Sequence, residues 1–509
     1  MTAAEVPAGW TRRERLALVL VIVVGAGICF AWVGRPLDHR IRSPWRQADY
    51  LAIARNFSRE DMNILYPRID WRGATPGYVE GELPVLPWVA AALFRAFGYH
   101  EQLLRLLSAL LGVGSLVLFA ALARRLLPPV GALFATAAYA LNPLLLHLAT
   151  AMQPEPLMLF LSLVAVALSW RWADRPHHTG RLLLAAAAIA AAILAKATAV
   201  YLGLVLGGEI LRRFGRRAFV MPEVYAAALL AILPPVAWYV WALHFWTEYG
   251  NSLGLSNGDH FLTLAMLTPP RFLIGILEWE TLGVFTPFGW GLALAALASD
   301  WRRMARPLTW YLATWALYVP AAKTTAADWA YYYHAISVAP ACLLMGRGVA
   351  ALALDRWRLP AGWPRWTAGL LAAATLIALL ALDVIYVRLR DDRPELLAMR
   401  TCALEFAPSV PPDQMIVVAG SPDYDQYGRS GAYNVSMPFA WMDRHGFNYP
   451  ENALNVDTLD RIAEQGGRYW MASAAELESD ALRRAMRERK YRLLATCAGG
   501  YFLYDLRPR

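Results

Sequence analysis

The sequence predicts a polytopic α-helical membrane protein that ends in a small α/β domain. Hydrophobic residues make up 58% of the 509 residues, and the mean hydropathy is +0.35. One soluble core cannot bury that much apolar surface. Long apolar runs recur from "LALVLVIVVGAGICFAWVG" at 16–34 to "WTAGLLAAATLIALLALDVIYV" at 366–387. Beyond residue 388 the runs become short, as in a soluble domain.

A helix needs roughly 20 apolar residues to cross a bilayer, and that rule, applied loosely, predicts eleven spans. They lie at 16–34, 103–123, 129–149, 156–171, 182–195, 198–211, 222–245, 281–299, 307–321, 334–352 and 366–387. The first run is long and has no small-residue cleavage site after it. It is therefore predicted to be a retained span and not a signal peptide.

Arginines indicate the orientation in the membrane. They cluster in the connections "ARRLLPP", "LRRFGRR" and "SDWRRMARP", whereas "TAMQPEP" and "LAKATA" carry few positive charges. The positive-inside rule then places the N-terminus in the cytoplasm and the residues after 388 outside a plasma (inner) membrane. The net charge of +9 is explained by these topology signals, so no nucleic-acid partner is predicted.

The chain is predicted to contain two domains. Residues 1–388 form the transmembrane domain, including a first external loop at 35–102. In that loop, 42–57 and 84–98 are expected to be juxtamembrane helices at the external interface.

Residues 389–509 are predicted to form an external, periplasmic α/β domain. Its expected strands are "MIVVAG", "RYWMAS" and "YFLYDL". Its expected helices are "NVDTLDRIAEQG", which Asn455 can cap, and "ELESDALRRAMRERK".

Four cysteines are too few for a disulfide framework. Cys29 and Cys342 lie in apolar runs and are predicted to be packing residues. Cys402 and Cys497 flank the C-terminal region, and they can pair if that region lies outside the membrane. The pairing is left open by the sequence.

Ionisable residues gather at the predicted external boundary. Such residues are costly in or near lipid, so a cluster of them is a functional hypothesis by default. The set comprises Asp49, Glu82, Arg105, Glu155, Lys196, Arg271, Lys323, Asp328 and His334. Charged residues are common at the ends of membrane spans, so their position at the external boundary does not by itself identify a functional site.

The order of these motifs resembles the GT-C membrane glycosyltransferases of the protein-mannosyltransferase and aminoarabinose-transferase type, a family 39-like group. The resemblance rests on Asp49 in "WRQADYLAIARNF", then "GELPVLPWVAAALFRAFG" and "RLLSALLGVGSL". It continues with "QPEPLM", "AKATA" and "YYYH" before "AISVAPACLLMG", and covers roughly residues 10–350. The C-terminal domain resembles no domain that we can name.

The resemblance implies an inverting transfer of a hexosyl or pentosyl group from a polyprenyl-phosphate carrier to an envelope glycolipid, polysaccharide or protein. Such a reaction needs a carboxylate base for the attacking hydroxyl and cations for the departing phosphate. Asp49 is the candidate base. Because arginines are near it, it is expected to stay ionised at neutral pH. The structural alternative is an ion pair between Asp49 and Arg46 on an interfacial helix.

Two further carboxylates are candidates. Glu155 lies between two prolines, where the family more often has aspartate, and it is expected to assist Asp49 or bind the acceptor. Glu82 precedes the amphipathic helix, and its alternative role is to interact with the helix dipole. With Asp49, both suit a magnesium or manganese ion. The family has metal-dependent and metal-independent branches, so the metal requirement is left open.

The donor phosphate needs cations. Only three lysines occur, Lys196, Lys323 and Lys490. Lys196 and Lys323 lie at span ends, where a compact charge suits a phosphate oxygen. Arg46, Arg105, Arg271 and His334 are further candidates, and Tyr332 can stack on a sugar. Their alternative roles are snorkelling to the interface and membership of an aromatic belt.

Two other classes of function are compatible with parts of the sequence. A transporter or flippase for lipid-linked sugars would use the same cations and aromatics, but should show inverted repeats and charges near the midplane. A structural envelope subunit would explain the C-terminal domain but not the carboxylates of the first two external loops. Neither alternative explains as many residues as a glycosyltransferase.

The segment at 420–450 is long, lacks periodicity and contains aromatic residues among polar ones, including Tyr424, Tyr427, Tyr433, Phe439, Trp441 and Tyr449. We predict that it forms an acceptor site or a lid over Asp49. The alternative is that its aromatics pack the core of their own domain.

Overall fold

The computed structural model describes residues 10–38, 43–176, 178–255, 260–327, 331–354, 366–385, 393–420, 435–453, 455–478, 480–488 and 491–507. The chain divides into two compact units. The first unit comprises Met1–Gly34, Arg105–Trp238 and His260–Leu389. The second comprises Arg35–Leu104, Tyr239–Asp259 and Arg390–Arg509.

Helices dominate the chain up to residue 382. They are α1 (Arg12–Ala31), α2 (Pro44–Arg59), α3 (Val85–Phe97), α4 (Glu101–Leu126), α5 (Pro129–Ala140), α6 (Pro143–Leu148), α7 (Glu155–Asp174), α8 (Thr179–Ala195), α9 (Leu202–Phe214), α10 (Pro222–Tyr249), α11 (Phe272–Trp279), α12 (Thr286–Asp300), α13 (Ala305–Tyr318), α14 (Ala322–Thr325), α15 (Tyr331–Ala353) and α16 (Trp366–Leu382).

The remaining elements mix helices and strands. They are α17 (Pro394–Phe406), β1 (Met415–Gly420), α18 (Met437–Met442), β2 (Gly446–Pro450), α19 (Val456–Glu464), β3 (Gly467–Ser473), α20 (Asp480–Glu488), β4 (Arg492–Cys497) and β5 (Tyr501–Asp505).

The first unit is a helical membrane bundle. Among the described residues, seven helical stretches are long and apolar enough to cross a bilayer: α1, α4, α7, α10, Phe272–Ser299, α15 and Trp366–Ile385. Each of the eleven predicted spans overlaps a helix. Several of those helices are too short to count by length alone, so the total of eleven stays a prediction.

Helix α15 is almost entirely buried within this bundle. Its small residues allow that position, because a Cβ at Gly346 would lie only 2.5 Å from the carbonyl oxygen of Gly131 on α5. Two predicted spans are irregular in the structure. The span at 129–149 breaks at Asn142, which caps α6, and α11 and α12 are joined by a π-helical turn, Glu280–Phe285.

The second unit contains a five-stranded sheet in the order β2-β1-β3-β5-β4. The first three strands are parallel, whereas β5 is antiparallel to both β3 and β4. The sheet confirms the three predicted strands, and Asn455 caps α19 by accepting from the Thr458 amide at 2.8 Å. The sequence analysis missed β2 and β4, which are short strands at the two edges of the sheet.

The predicted juxtamembrane helices are α2 and α3. Helix α2 is buried along most of its length, although an interfacial helix was expected. Its Ile53 and Phe57 share one hydrophobic core with Phe406, Ile416 and other residues of the C-terminal region. This common core explains why the first loop groups with the C-terminal residues and not, as chain order suggested, with the transmembrane helices.

Cys402 and Cys497 form a disulfide that joins α17 to β4. Both cysteines are buried, and their sulfurs are bonded across 95 residues of sequence. The alternative that the sequence left open is therefore decided in favour of pairing. Cys29 and Cys342 are free, buried thiols, as expected for packing residues.

Candidate active site

Asp49 lies in the middle of α2 and is only 1% exposed. The indole Nε1 of Trp71 donates to its Oδ1 at 2.8 Å. Ser436, at the start of α18, forms a second side-chain hydrogen bond to Asp49, and its hydroxyl also lies 2.5 Å from the carbonyl oxygen of Trp45. A loop and the C-terminal region of the second unit thus each supply a donor to this carboxylate.

Burial raises the pKa of Asp49 to about 7, although the hydrogen bonds from Trp71 and Ser436 and the charge of Arg46 act in the opposite direction. The sequence analysis expected neighbouring arginines to keep this group ionised at neutral pH. Desolvation is the larger effect, because α2 is buried beneath the C-terminal region. Asp49 therefore titrates near neutrality, which is where a general base is most effective.

Arg46 and Glu82 interact with each other beside Asp49 on α2. Arg46 Nη2 lies 3.3 Å from Glu82 Oε1, and the hydroxyl of Tyr50 donates to Glu82 Oε2 at 2.5 Å. Both ionic side chains are about nine-tenths buried. The structure thus gives Glu82 two side-chain partners beyond the helix dipole that the sequence suggested.

Three consecutive residues, Asp70, Trp71 and Arg72, fix the loop that reaches Asp49. Asp70 accepts from Arg55 and, at 2.9 Å, from Asn56, both on α2. Trp71 binds Asp49, and Arg72 pairs with Glu60 at the end of α2. The loop is therefore anchored on both sides of the indole that contacts the carboxylate.

The C-terminal region binds to the same helix. Asp443 lies 2.7 Å from Arg55 Nη1 and accepts two hydrogen bonds from Arg59, at 2.7 and 3.0 Å. These arginines lower the pKa of Asp443 against the effect of burial. Because Asp443 follows α18, the ion pairs hold Ser436 and its helix in place over α2.

The first unit contains a second cluster, centred on Lys196. The lysine lies at the break between α8 and the 3-10 turn Ala197–Tyr201, and its Nζ is 2.5 Å from Glu155 Oε1 at the start of α7. The ammonium also lies 4.9 Å from the ring centre of Tyr332 and 5.3 Å from that of Tyr333. Lys196 and Glu155 are both buried, so the charge is held in a fixed position.

The segment that carries Glu155 is held by α4. Arg105 Nη1 donates to the carbonyl oxygen of Thr150 at 3.0 Å, and Ser108 Oγ donates to that of Ala151 at 2.8 Å. The Arg-x-x-Ser pattern at the start of the second predicted span therefore positions the second external loop. Next to it, the Gln153 amide is fully buried and has no hydrogen-bond partner within the described ranges.

His334 belongs to a third polar cluster, inside the helices of the first unit. Its Nδ1 lies 2.7 Å from Glu280 Oε1 and its Nε2 lies 2.8 Å from the carbonyl oxygen of Thr325. Tyr311 and Ser337 also donate to Glu280. These contacts place His334 among protein groups, where it links α15 to the π-helical turn and to α14.

The remaining candidates lie on other segments of the first unit. Arg271 is exposed in the turn before α11, and Lys323 lies on α14. Asp328 falls outside the described residues. In the described part of the chain, no three His, Cys, Asp or Glu side chains are grouped closely enough to hold a metal ion. Glu82 and Glu155 bind cationic side chains instead, so we derive no step through a metal.

The described aromatics of the 420–450 segment pack inside the second unit. Phe439 and Tyr449 lie in its two hydrophobic cores, and Trp441 Nε1 donates to the carbonyl oxygen of Leu37 at 2.8 Å. Tyr424, Tyr427 and Tyr433 lie outside the described residues. Phe439, Trp441 and Tyr449, together with Phe447, which packs against the core that contains Tyr449, have the surroundings that the packing alternative predicts.

Sequence reasoning missed Trp71, Ser436, Tyr50, Gln153 and Glu280. The pattern "RIDWRGATPG" contained a signal for Trp71, since a tryptophan between charged residues in an external loop is a frequent interaction site. Ser436 carried no comparable signal, because it lies 387 positions after Asp49 and only the folded chain brings the two together.

Comparison with known proteins identifies the fold. A family model for dolichyl-phosphate-mannose-protein mannosyltransferase matches residues 81–241. No curated protein sequence gives a significant match. ArnT from Cupriavidus metallidurans in the apo state aligns with a TM-score of 0.63 and 14% identity, over 97% of this chain and 98% of that chain. The same protein bound to undecaprenyl phosphate aligns with a TM-score of 0.60.

Two more distant structures share the architecture. The oligosaccharyltransferase of Archaeoglobus fulgidus, tethered to an acceptor peptide, gives a TM-score of 0.53 and 13% identity over 96% of this chain and 74% of that one. A single-site mutant of the mycobacterial arabinofuranosyltransferase AftD gives a TM-score of 0.55 and 14% identity, over 99% of this chain and 42% of that one. At these low identities the structural alignments show the fold alone. It is the fold of the GT-C membrane glycosyltransferases, which confirms the resemblance seen in the sequence.

Proposed function

Because the chain has the GT-C glycosyltransferase fold, we propose that it transfers a sugar from a polyprenyl-phosphate carrier to an acceptor hydroxyl on the external face of the membrane. The observation that carries this proposal is the environment of Asp49. A buried carboxylate that is held by two hydrogen-bond donors and titrates near neutrality has the properties of a general base.

The reaction requires a single displacement. Ionised Asp49 takes the proton of the acceptor hydroxyl as that oxygen attacks the anomeric carbon. The bond between the anomeric carbon and the phosphate oxygen breaks, and its electron pair leaves with the lipid phosphate. The new glycosidic bond therefore has the inverted configuration.

Lys196 is proposed to stabilise the departing phosphate. Its ammonium is a buried, compact positive charge that lies 2.5 Å from Glu155 Oε1, and a charge of this kind suits a phosphate oxygen. Glu155 is then a positioning residue that, with Tyr332, fixes the direction of the Lys196 charge. The undecaprenyl phosphate bound by the structurally similar ArnT supports a donor of this class.

The disulfide supports an external location for the second unit. Disulfides persist in oxidising compartments, and the positive-inside rule independently places residues after 388 outside. We therefore propose an envelope acceptor that is a glycolipid, a polysaccharide or a protein.

The experiment is to compare a strain lacking the protein with strains that carry the wild type or Asp49→Asn. Mass spectrometry should show loss of one envelope sugar modification and accumulation of its lipid-linked donor in the deletion strain and in the Asp49→Asn strain. Restoration of the modification by Asp49→Asn would contradict the proposal. It would instead favour a flippase, which moves the lipid-linked sugar and needs no base.

A further inference from the structure

The second unit contains a polar cleft that the catalytic proposal does not use. Its volume is about 450 Å³, and it lies where the loop 68–76 meets the first residues of β1 and β2. The two walls are joined by backbone hydrogen bonds, from Gly73 N to Gly446 O at 2.7 Å and from Gly446 N to Asp70 O at 2.9 Å. The cleft is thus a fixed feature of the unit and not a gap between loosely packed parts.

Two guanidinium groups of this cleft share a single carboxylate. Arg72 Nη1 lies 3.0 Å from Glu60 Oε1, and Arg68 Nε lies 3.4 Å from Glu60 Oε2. Asp61 is 3.9 Å from Arg68 and half-exposed, so water screens its charge. The lining side chains therefore carry an excess of positive charge.

The cleft also has an excess of hydrogen-bond donors. Each guanidinium carries five N–H groups. Arg68 Nη1 is buried, and in the described part of the chain it has no hydrogen-bond partner. A buried donor without an acceptor costs free energy, and an incoming oxygen atom would remove that cost.

Both arginines are held in place before any ligand arrives. Arg68 lies 4.9 Å from the ring centre of Tyr78 and donates to its hydroxyl at 3.2 Å. Arg72 lies across Gly77, whose φ of +88° and close approach leave no room for a Cβ beside the arginine. Its Nη1 also donates to the Pro76 carbonyl oxygen at 3.2 Å. Such fixed guanidiniums suit planar, bidentate recognition of an oxyanion.

His445 adds a ring nitrogen to the opposite wall. Burial and the charge of Arg72 lower the pKa of His445, so it is neutral at neutral pH and can both donate and accept. Thr75 contributes a hydroxyl to the lining. A sugar that carries a phosphate or carboxylate group has both features that this lining matches, namely an oxyanion and hydroxyls.

We propose that the cleft formed by Arg68, Arg72 and His445 binds an oxyanion on the acceptor, a phosphate or carboxylate group attached to a sugar. This inference rests on the proposed glycosyltransferase function. The loop gives the link, because Trp71 contacts Asp49 while its neighbour Arg72 lines the cleft. A ligand held there would be bound by the same loop that positions the base.

The test is a binding titration on the full-length protein in nanodiscs of zwitterionic lipid. The probes are glucose 6-phosphate, glucuronate and glucose. We expect the two anions to bind with millimolar affinity and glucose not to bind. The variants Arg68→Gln and Arg72→Gln should each weaken anion binding by about tenfold, the effect of losing one hydrogen bond to a charged group. Arg492→Gln, which removes an exposed arginine of β4, should leave the affinity unchanged.

Equal binding of glucose and its phosphate to the wild type would overturn the proposal, and this arm does not depend on a variant that folds. Unchanged anion affinity in both Gln variants would overturn it as well. Repeating the titration in nanodiscs with anionic lipid distinguishes the two sources of the oxyanion. Competition by the lipid would assign the site to a lipid headgroup, and no competition would assign it to a soluble or polymeric sugar.

The outcome is separable from the catalytic proposal. The Asp49→Asn variant should lose transfer but bind glucose 6-phosphate as the wild type does. If anions fail to bind while Asp49→Asn still abolishes transfer, the cleft assignment fails and the proposed function stands. If anions bind as predicted while Asp49→Asn transfers sugar normally, the catalytic proposal fails and the cleft is a separate binding site.

Discussion

Two buried carboxylates of this protein are held in opposite ways. Glu155 in the first unit lies 2.5 Å from the ammonium of Lys196, so a permanent positive charge balances it. Asp49 in the second unit accepts from the indole of Trp71 and the hydroxyl of Ser436, and burial outweighs the charge of nearby Arg46 in setting its pKa. Both side chains are equally inaccessible to solvent.

The difference explains how one functional group, the carboxylate, can serve two roles. A carboxylate in a tight ion pair is a fixed electrostatic element, because removing its charge would leave the partner unpaired. A carboxylate for which the effect of burial exceeds that of nearby donors and charges keeps a raised pKa and can exchange a proton near pH 7. The comparison therefore supports the proposed roles, which are proton transfer by Asp49 and phosphate stabilisation by Lys196 with Glu155.

The largest expected effect is the loss of turnover when the proposed base, Asp49, is replaced. Asp49→Asn keeps the shape of the side chain but cannot accept the proton, so kcat should fall by a factor of about 100 or more. Transfer from a polyprenyl-phosphate sugar by the purified protein measures it. Asp457→Asn, an exposed aspartate on α19, is the matched control and should transfer normally. Near-normal turnover of the Asp49 variant would remove the distinction between the two carboxylates.

The next largest effect is on the donor site. Lys196→Met removes the charge proposed to face the phosphate and should weaken binding of the polyprenyl-phosphate donor about tenfold, with a smaller effect on acceptor binding. It also leaves Glu155 buried without its cation, at a cost of about 3–5 kcal/mol in the free energy of unfolding.

A second substitution separates these two consequences. In the double variant Glu155→Gln/Lys196→Met the buried charge is gone, so stability should largely return while donor affinity stays low. Arg213→Met, at an exposed position of α9, is the control for loss of a cation. Donor affinity that returns together with stability would show that Lys196 only balances Glu155.

A smaller effect concerns pH. Only ionised Asp49 can act as a base, so kcat/KM should rise with pH and level off above about 7. The hydrogen bond from Ser436 favours the ionised form of Asp49. Ser436→Ala should therefore move the rising limb of the pH profile of kcat/KM to higher pH, whereas Ser436→Thr should leave it in place. A uniform loss of rate without a shift of the limb would mean that Ser436 serves packing and not the base.

This substitution is more informative than deletion of residues 389–509. Deletion would uncover the core that Ile53 and Phe57 of α2 share with the C-terminal region, so the helix that carries Asp49 would lose its support. Loss of transfer after deletion would therefore not identify a lid.

The smallest effect on turnover is expected from the disulfide, which contacts neither carboxylate. Replacing Cys402 and Cys497 by serine should leave kcat nearly unchanged at low temperature but destabilise the second unit. Opening a loop of 95 residues removes about 4 kcal/mol in the chain-entropy description. Thermal unfolding with and without reductant measures this, and a wild-type melting temperature indifferent to reductant would contradict it.

Much of the fold could be predicted from local patterns. The apolar runs predicted most of the helices between residues 16 and 387, and short runs of apolar and aromatic residues predicted β1, β3 and β5. Edge strands β2 and β4 were missed, because "GFNYP" and "RLLATC" have weak alternation and depend on neighbouring strands for their hydrogen bonds.

The sequence predicted some of the candidate site residues but not their surroundings. The order of Asp49, Glu155 and Lys196 along the chain was sufficient to propose a base and a phosphate ligand. The ionisation of Asp49 was expected from its arginine neighbours, yet one of these arginines, Arg46, pairs with Glu82, and burial outweighs their charge. His334, also a candidate for the phosphate, pairs with Glu280 in the interior of its unit.

The sequence by itself determined the membrane class, the helical bundle, the α/β character of the C-terminal region and the residue types of the site. Each of these depends on composition or on short periodic patterns. Only the tertiary structure decided which donors reach Asp49, that Cys402 pairs with Cys497, and that α2 is buried with the C-terminal region. Burial and the partners of a side chain are set by residues hundreds of positions away, and they control its pKa and its chemistry.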